Sequence, residues 1–586
     1  MVFFYGVRFD LSAIAWLYSP FILMHLFLFS FSKSKWHRKW AKAMFQFSNS
    51  LCLALNILDF EYFKFTLKRS TADLFDLLAV GNDIQMQGIY LATQHWYLIF
   101  ILPLFIGISE WLYRKTEKGS RPTQSNLVVQ SLASLAAIAV LTICSRGGLG
   151  LKPLSIIEAG KYAEAKNIPL VLNTPFTVMK TIFNQGLEEV QSFSEEEAIT
   201  YFNPVQQFTD DSVMRKTNVV VIILESFSKE YVGALNKELG IKGFTPFLDS
   251  LIDQSLVFSN CFANGRKSIE GIPAVVAGLP SLMNNPYISS NYASNEINSL
   301  ANLLGVEDYH TSFFHGGING TMGFDGFTKT VGFQHYFGKN EYPFEEHYDG
   351  NWGIFDEEYF QYFAEKLTEF KKPFFSCILS LSSHHPYTIP EKYRDKFKGG
   401  EFNIHKTVQY TDFALQQFFN SVNKTDWFEN TLFVLTADHS AMVNHPQYKT
   451  NKGIYAIPLI FYQPGSKLKG IDETITQQAD IMPSVLHYIG YQKPFIAFGQ
   501  SVFDKNSDGF AVSFLNNIHQ IIDKNYLLQF DGMEIIAAYN YNNDPLLKNN
   551  VLSSPSEEAQ ELENKLKAII QNYNNRLINN QLVAIR

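Results

Sequence analysis

Charge is scarce in this chain: Asp, Glu, Lys and Arg make up 18% of its 586 residues, against roughly 25% in ordinary soluble domains. With aromatics at 15%, that composition excludes a disordered chain and argues against a nucleic-acid-coating role. Cysteine is equally sparse. Cys52, Cys144, Cys261 and Cys377 stand far apart with no CxxC pair, so neither a disulfide framework nor a zinc knuckle is expected. What remains is an apolar, Phe-rich chain too long for one core, so two or more units and a bilayer partner are the first expectations.

The net charge of -8 hides an asymmetry: residues 1–150 carry 14 Lys and Arg against 8 Asp and Glu, and the remainder 34 against 48. The basic part is also the apolar part. Stretches 11–31, 43–58, 96–113 and 126–144 approach the roughly 20 apolar residues of a bilayer-spanning helix, the second being the most polar, with Gln46, Ser48, Asn49 and Ser50. A cleaved signal peptide fits poorly, because the first run lacks a small-residue cleavage site and further spans come after it. Residues 33–42 and 114–121 are basic, whereas 59–95 is net acidic. An excess of Lys and Arg marks cytoplasmic loops, so everything after the fourth span is expected outside the cytoplasm. The amino terminus then also lies outside, and its abrupt opening predicts that an earlier span is missing. No span carries the buried charge pairs that mark a transport path. The domains expected are a transmembrane helical domain (1–145), a juxtamembrane connector without a core (146–215), an extracytoplasmic catalytic domain (216–550) and a helical tail (551–586).

From residue 216 short apolar runs alternate with helix-like segments, the pattern of an α/β domain with a mostly parallel sheet. Each run is most informative at its carboxyl end. NVVVIIL (218–224) ends at Glu225, YHTSFF (309–314) at His315, FFSCILSL (374–381) at Ser382, Ser383, His384 and His385, and TLFVLT (431–436) runs into Asp438 and His439. Each alone fits a turn or a helix cap. Ligands bind beyond the carboxyl ends of such strands, so together these exits predict one rim carrying two carboxylates and several imidazoles. That set suits one divalent cation and leaves Mn2+, Mg2+ and Zn2+ open.

A nucleophile is expected within NCFANGRKSIEGIPAVVAGLPSL. Gly265 lets the chain turn, Arg266 and Lys267 bring positive charge, and Ser268 opens a helix running from Ile269 toward Gly278, whose free amides favour an anion. A plain serine cap is the alternative. Serine needs a base or a metal to become nucleophilic.

LESFS (224–228), GRKS (265–268), FFHGGINGT (313–321), LSSHHPY (381–387) and TADHS (436–440) occur in the order seen in lipoteichoic acid synthase-like proteins, within the sulfatase branch of the alkaline phosphatase superfamily. The resemblance spans nearly the whole chain and implies an α/β fold class: a multi-pass helical membrane domain, then a sulfatase-like domain with a mostly parallel central sheet and a small carboxy-terminal antiparallel sheet. FGQSVF (498–503) and AAYNYNNDPLLKNN (537–550) match that domain's closing segments, with a helix-patterned tail from Ser556 packed on it or trailing. By position, the family's metal ligands fall on Glu225, Ser268, Asp438 and His439, its nucleophile on Ser268 and its substrate-site histidine on His384, with His315 before the glycine pair. Arg266 and Lys267 join the expected substrate contacts, while His385 and His445 are expected to be structural.

The chain departs from the pattern in three places. Ser268 is followed by Ile-Glu-Gly, not by the C/S-x-P-x-R signature of formylglycine sulfatases. Serine stands where lipoteichoic acid synthases typically have threonine. TMGFDGF (321–327) occupies the place of their glycerol-phosphate-binding Trp and Arg. The resemblance implies a membrane-anchored phosphotransferase working through a phospho-serine. It would carry a phosphoglycerol-type head group from a phospholipid donor to an envelope glycan or lipid, with one divalent ion, Mn2+ first and Mg2+ or Zn2+ as alternatives. Phosphoethanolamine transfer, or phosphodiester, phosphomonoester or sulfate hydrolysis, are the alternatives within the superfamily; a non-enzymatic envelope scaffold binding anionic glycans is the alternative outside it.

Overall fold

The structure, a computed structural model, describes residues 2–27, 35–66, 69–72, 96–119, 127–150, 153–163, 167–182, 186–209, 213–371, 373–552 and 556–584. Two compact units emerge: Met1–Leu187 with Ser289–Ser294, and Glu188–Ile288 with Asn295–Arg586.

The first unit is helical. Among the described residues, Val128–Arg146 is long and apolar enough to cross a bilayer. A second crossing would need Phe3–Leu17 and Ser19–Leu26, bent by 60°, to act as one. The bend falls where Pro20, at the start of the second helix, withholds an amide from the helical ladder. The other two expected spans lie within the helices Lys35–Thr66 and Trp96–Gly119, so a count of four crossings rests on sequence alone. Residues 28–34, 73–95 and 120–126, which include parts of the loops used for orientation, lie outside the described residues.

Charged pairs sit at or beyond the ends of the expected spans: partly exposed Glu110 meets Lys42 and Arg114 at 2.5 Å each, and Asp59 takes the Arg69 guanidinium at 2.7 Å. One expectation for this unit is corrected. The stretch expected as a coreless connector builds core, because Leu154, Ile156, Ile168, Val171 and Phe176 bury themselves with Phe9 and Ala13. Its glycines, prolines and acids mark the turns between short helices, and the apolar residues between them point one way.

The second unit is built on an eight-stranded sheet. In chain order its strands are β1 (Asn218–Leu224), β2 (Leu256–Phe262), β3 (His310–His315), β4 (His335–Phe337), β5 (Phe374–Leu379), β6 (Thr431–Ala437), β7 (Ala456–Tyr462) and β8 (Gly470–Gln477). Their order across the sheet is β4-β3-β5-β1-β6-β7-β2-β8, and every strand runs parallel to β1 except β7. β1, β5 and β6 are buried along their whole length. Continuous runs of Val, Ile, Leu and Phe are what a strand covered on both faces requires.

A four-stranded antiparallel sheet comes next, from Ala511–Leu515, Ile518–Ile522, Tyr526–Phe530 and Ile535–Asn540. Segment 498–503 runs ahead of that sheet and not in it. Its backbone is already committed, the Phe498 amide to Gly278 O (2.8 Å) and the Gln500 amide to Asp480 Oδ1 (2.7 Å). The tail folds as the helix Glu557–Ile578. It packs and does not trail: Gln571 Oε1 accepts from the Phe193 amide and Asn575 Oδ1 from the Val190 amide.

Candidate active site

Four neighbouring strands, β3, β5, β1 and β6, run in one direction and end at one level, with Leu224 opposite Ala437, Ile223 opposite Leu379, and Leu379 opposite His315. The polar residues at their carboxyl ends therefore emerge on one rim. Ser268 arrives by another route, as the first residue of the helix Ser268–Ala277 after β2, preceded by Lys267 in extended conformation. That helix lies against the rim because residue 271 is glycine: a Cβ there would stand 2.2 Å from Asp438 O.

Glu225, Asp438 and His439 each offer a ligand atom within 4.8 Å of the others. His439 Nε2 is 3.4 Å from Asp438 Oδ2 and 3.8 Å from Glu225 Oε1. Its Nδ1 lies 2.9 Å from Ser440 O, which assigns the proton to Nδ1 and leaves the Nε2 lone pair facing the carboxylates. Asp438 is wholly buried. Its Oδ1 accepts from the amides of Ser226 and His439, both at 2.7 Å, whereas Oδ2 has no hydrogen-bond partner among the described residues. Ser268 Oγ donates to Glu225 Oε2 at 3.1 Å, and Ser226 Oγ to Glu225 Oε1 at 2.7 Å. Burial, then the Asp438 carboxylate beside it, pushes the Glu225 carboxyl well above the usual range. Two buried acids, one bare oxygen and one open imidazole nitrogen fit a hard divalent cation, which would offset the repulsion between the acids.

The remaining site residues divide. His315 is 1% exposed, with Nδ1 3.4 Å from the Tyr336 hydroxyl, and burial, with His384 adding repulsion, lowers its pKa to about 4. It is a neutral imidazole. His384 is half-buried, its Nδ1 2.8 Å from His385 O and its ring 4.3 Å from that of Trp352, so Nε2 is the nitrogen left for a substrate. Arg266 is occupied elsewhere, its guanidinium donating to Ile454 O and lying 5.7 Å from the Tyr455 ring. Lys267 is mostly exposed, 3.9 Å from Glu270 Oε1. His445 caps the short helix Pro446–Lys449, as expected of a structural histidine.

Sequence reasoning missed several supporting residues. Buried Asp356 holds the turn that carries His384, its Oδ1 accepting from the Leu381 and Ser382 amides at 2.8 and 3.1 Å and its Oδ2 from Thr411 Oγ1 at 2.6 Å. Gln478 Nε2 donates to the carbonyls of Ala437 and Asp438, both at 2.7 Å. Ser226 sits at φ 59°, a left-handed conformation that costs a non-glycine residue of order 1 kcal/mol or more and turns its amide onto Asp438. The Trp352 ring lies tilted against His384 and its indole N–H donates to His385 O at 2.6 Å. Only the last left a trace in the sequence, as an isolated tryptophan in a polar stretch.

Residues 217–491, which hold the eight-stranded sheet and its rim, match the sulfatase family model. The chain is 25% identical to the lipoteichoic acid synthase-like YvgJ of Bacillus subtilis over 380 residues, spanning 58% of this chain and 60% of that relative's length. It is 24% identical to lipoteichoic acid synthase of Staphylococcus aureus over 562 residues, 89% of this chain and 83% of the relative. Among solved structures, an alkaline phosphatase superfamily protein from Vibrio parahaemolyticus superposes with TM-score 0.59 at 22% identity, covering 68% of this chain and 99% of that one. The lipoteichoic acid synthase LtaP of Listeria monocytogenes gives 0.54 at 19%, covering 66% and 98%. These likenesses establish the fold.

Proposed function

We propose that this chain is a membrane-anchored, metal-dependent phosphotransferase that moves a phosphoglycerol-type head group from a phospholipid onto an envelope glycan or lipid, through a phospho-serine at Ser268. The similarity to lipoteichoic acid synthases supports the reaction type. The observation that carries it is the bare, wholly buried Asp438 Oδ2 beside a carboxylate that already holds the Ser268 hydroxyl. The basic stretches 33–42 and 114–121 between the apolar helices support a catalytic domain outside the cytoplasm.

Glu225, Ser268, Asp438 and His439 would hold one divalent cation, Mn2+ first and Mg2+ or Zn2+ as alternatives, and that ion supplies positive charge that activates the serine and offsets charge on the phosphoryl oxygens. Ser268 Oγ bonds to phosphorus as the bond from phosphorus to the diacylglycerol oxygen breaks, and the serine proton departs toward Glu225 Oε2. His384 gives a proton to the departing oxygen through Nε2. In the second half it takes the proton of the acceptor hydroxyl as that oxygen attacks phosphorus and the bond to Ser268 breaks, and Ser268 Oγ regains its proton from Glu225 Oε2. Neutral His315 and the Trp352 ring border His384, and exposed Lys267 sets positive charge beside the nucleophile, whereas Arg266 is held at Ile454.

Incubating the protein with vesicles of phosphatidylglycerol and reading the mass on the Ser268 peptide tests this. Added phosphoglycerol is expected; an unmodified Ser268 under conditions that turn over lipid would sink the reading. A second reading, phosphoethanolamine transfer, is favoured by segment 321–327, where Met322 and Phe324 leave the head-group region without an arginine and Phe324 packs edge-on to His315 at 5.4 Å. The same spectrum with phosphatidylethanolamine decides between them.

A further inference from the structure

Beyond the four strands that carry the candidate site, a cavity of about 560 Å³ opens between the segment after β1, the carboxyl-terminal half of β2 and the first residues beyond the small antiparallel sheet. None of the active-site residues lines it. Two lysines do, Lys229 and Lys452, both half-buried, with Lys237, Tyr448 and Tyr541 around them.

Neither ammonium has an ion pair or a hydrogen bond among the described residues. Lys452 Nζ lies 3.3 Å from the centre of the Tyr541 ring and 5.8 Å from that of Phe262, which hold it by its charge without neutralising it. Glu238 and Glu473 line the same cavity and attract Lys229, yet neither comes within ion-pairing distance of it. Surface lysines ordinarily escape into water, whereas these two are kept together in a recess, where like charges repel. Burial lowers Lys452 to about 7, with Lys229 adding repulsion, and lowers Lys229 to about 8. Both are destabilised as cations in the absence of a counter-ion.

We propose that this cavity is a second, non-catalytic anion site that takes one phosphate group between Lys229 and Lys452. A doubly or singly charged oxyanion supplies the charge the two ammonium groups lack, and its oxygens accept from both. The phosphate could arrive free or as part of a phosphodiester chain, and the chemistry of recognition is the same.

The test labels lysine amines of the full-length protein with an acylating reagent and reads each lysine by mass spectrometry. One arm contains inorganic phosphate, a second glycerophosphoglycerol and a third chloride at matched ionic strength. At a probe concentration about ten times its Kd, labelling of Lys229 and Lys452 is expected to fall roughly tenfold, while exposed Lys424 is unchanged. Protection by phosphate alone assigns the site to the free ion, and protection by the diester assigns it to a phosphodiester chain. Unchanged labelling with both probes, or equal protection by chloride, overturns the proposal. A Lys229→Met protein in which phosphate still protects Lys452 roughly tenfold would overturn it as well.

Discussion

At the scale of single residues, the proposed reaction separates holding a metal from attacking phosphorus. Ser268→Ala removes the attacking oxygen but neither carboxylate, so transfer should fall roughly 10³-fold or more while metal analysis still finds the ion. Asp438→Asn keeps the shape but turns the bare Oδ2 into a neutral amide, and the purified protein should lose both its metal and its activity. His315 gives a pH signature. Its folded pKa of about 4 lies below the unfolded value near 6.5, so between those values the unfolded chain binds more protons and stability rises with pH. The span corresponds to about 3 kcal/mol at most. His315→Gln should flatten the stability profile between pH 4 and 6.5, as read by denaturant unfolding; an unchanged slope would place the titration elsewhere.

At the scale of elements, the site depends on how closely the helix Ser268–Ala277 approaches the end of β6. Gly271→Ala sets a methyl 2.2 Å from Asp438 O. Because that contact is backbone, the expected cost is about 1–3 kcal/mol, with lower metal occupancy since the helix start moves with Ser268. The turn after β5 depends on Asp356 in a different way. Asp356→Ala leaves the Leu381 and Ser382 amides and the Thr411 hydroxyl without their acceptor, a loss of about 2 kcal/mol or more. Its functional effect should appear in kcat through a displaced His384, with metal content intact; loss of the metal instead would show that Asp356 supports the ligands as well. The strands were legible because runs such as VVVIIL (219–224) are uniformly apolar and are followed at once by a polar residue. The connector was not, since its short helices carry no long period and become core only through packing with Phe9 and Ala13.

At the scale of the whole molecule, the chain joins an apolar helical unit to a compact unit with its own core. Under the proposed reaction, anchoring raises the local concentration of a lipid donor but does nothing for a soluble one. The unit from Glu188 onward, made alone, should cleave a water-soluble phosphodiester at a rate close to that of the full chain and lose most of its activity on vesicle lipid. Equal loss on both substrates would mean that the helical unit shapes the site itself.

The sequence by itself determined the class of fold and the kinds of polar side chain at the rim, because local polarity decides which segments are buried strands and which residues end them. It also placed Glu225, Asp438 and His439 at strand exits before any geometry was known. Tertiary structure decided what those residues can do. Only strand order makes β3, β5, β1 and β6 neighbours, and only the glycine contact at 271 brings Ser268 to Glu225. The orphaned oxygen of Asp438, the engagement of Arg266 with Ile454 and the paired lysines of the second cavity are likewise products of packing between segments far apart in the chain. No pattern along the chain records a distance of that kind, which is set by how the sheet and its helices close on one another.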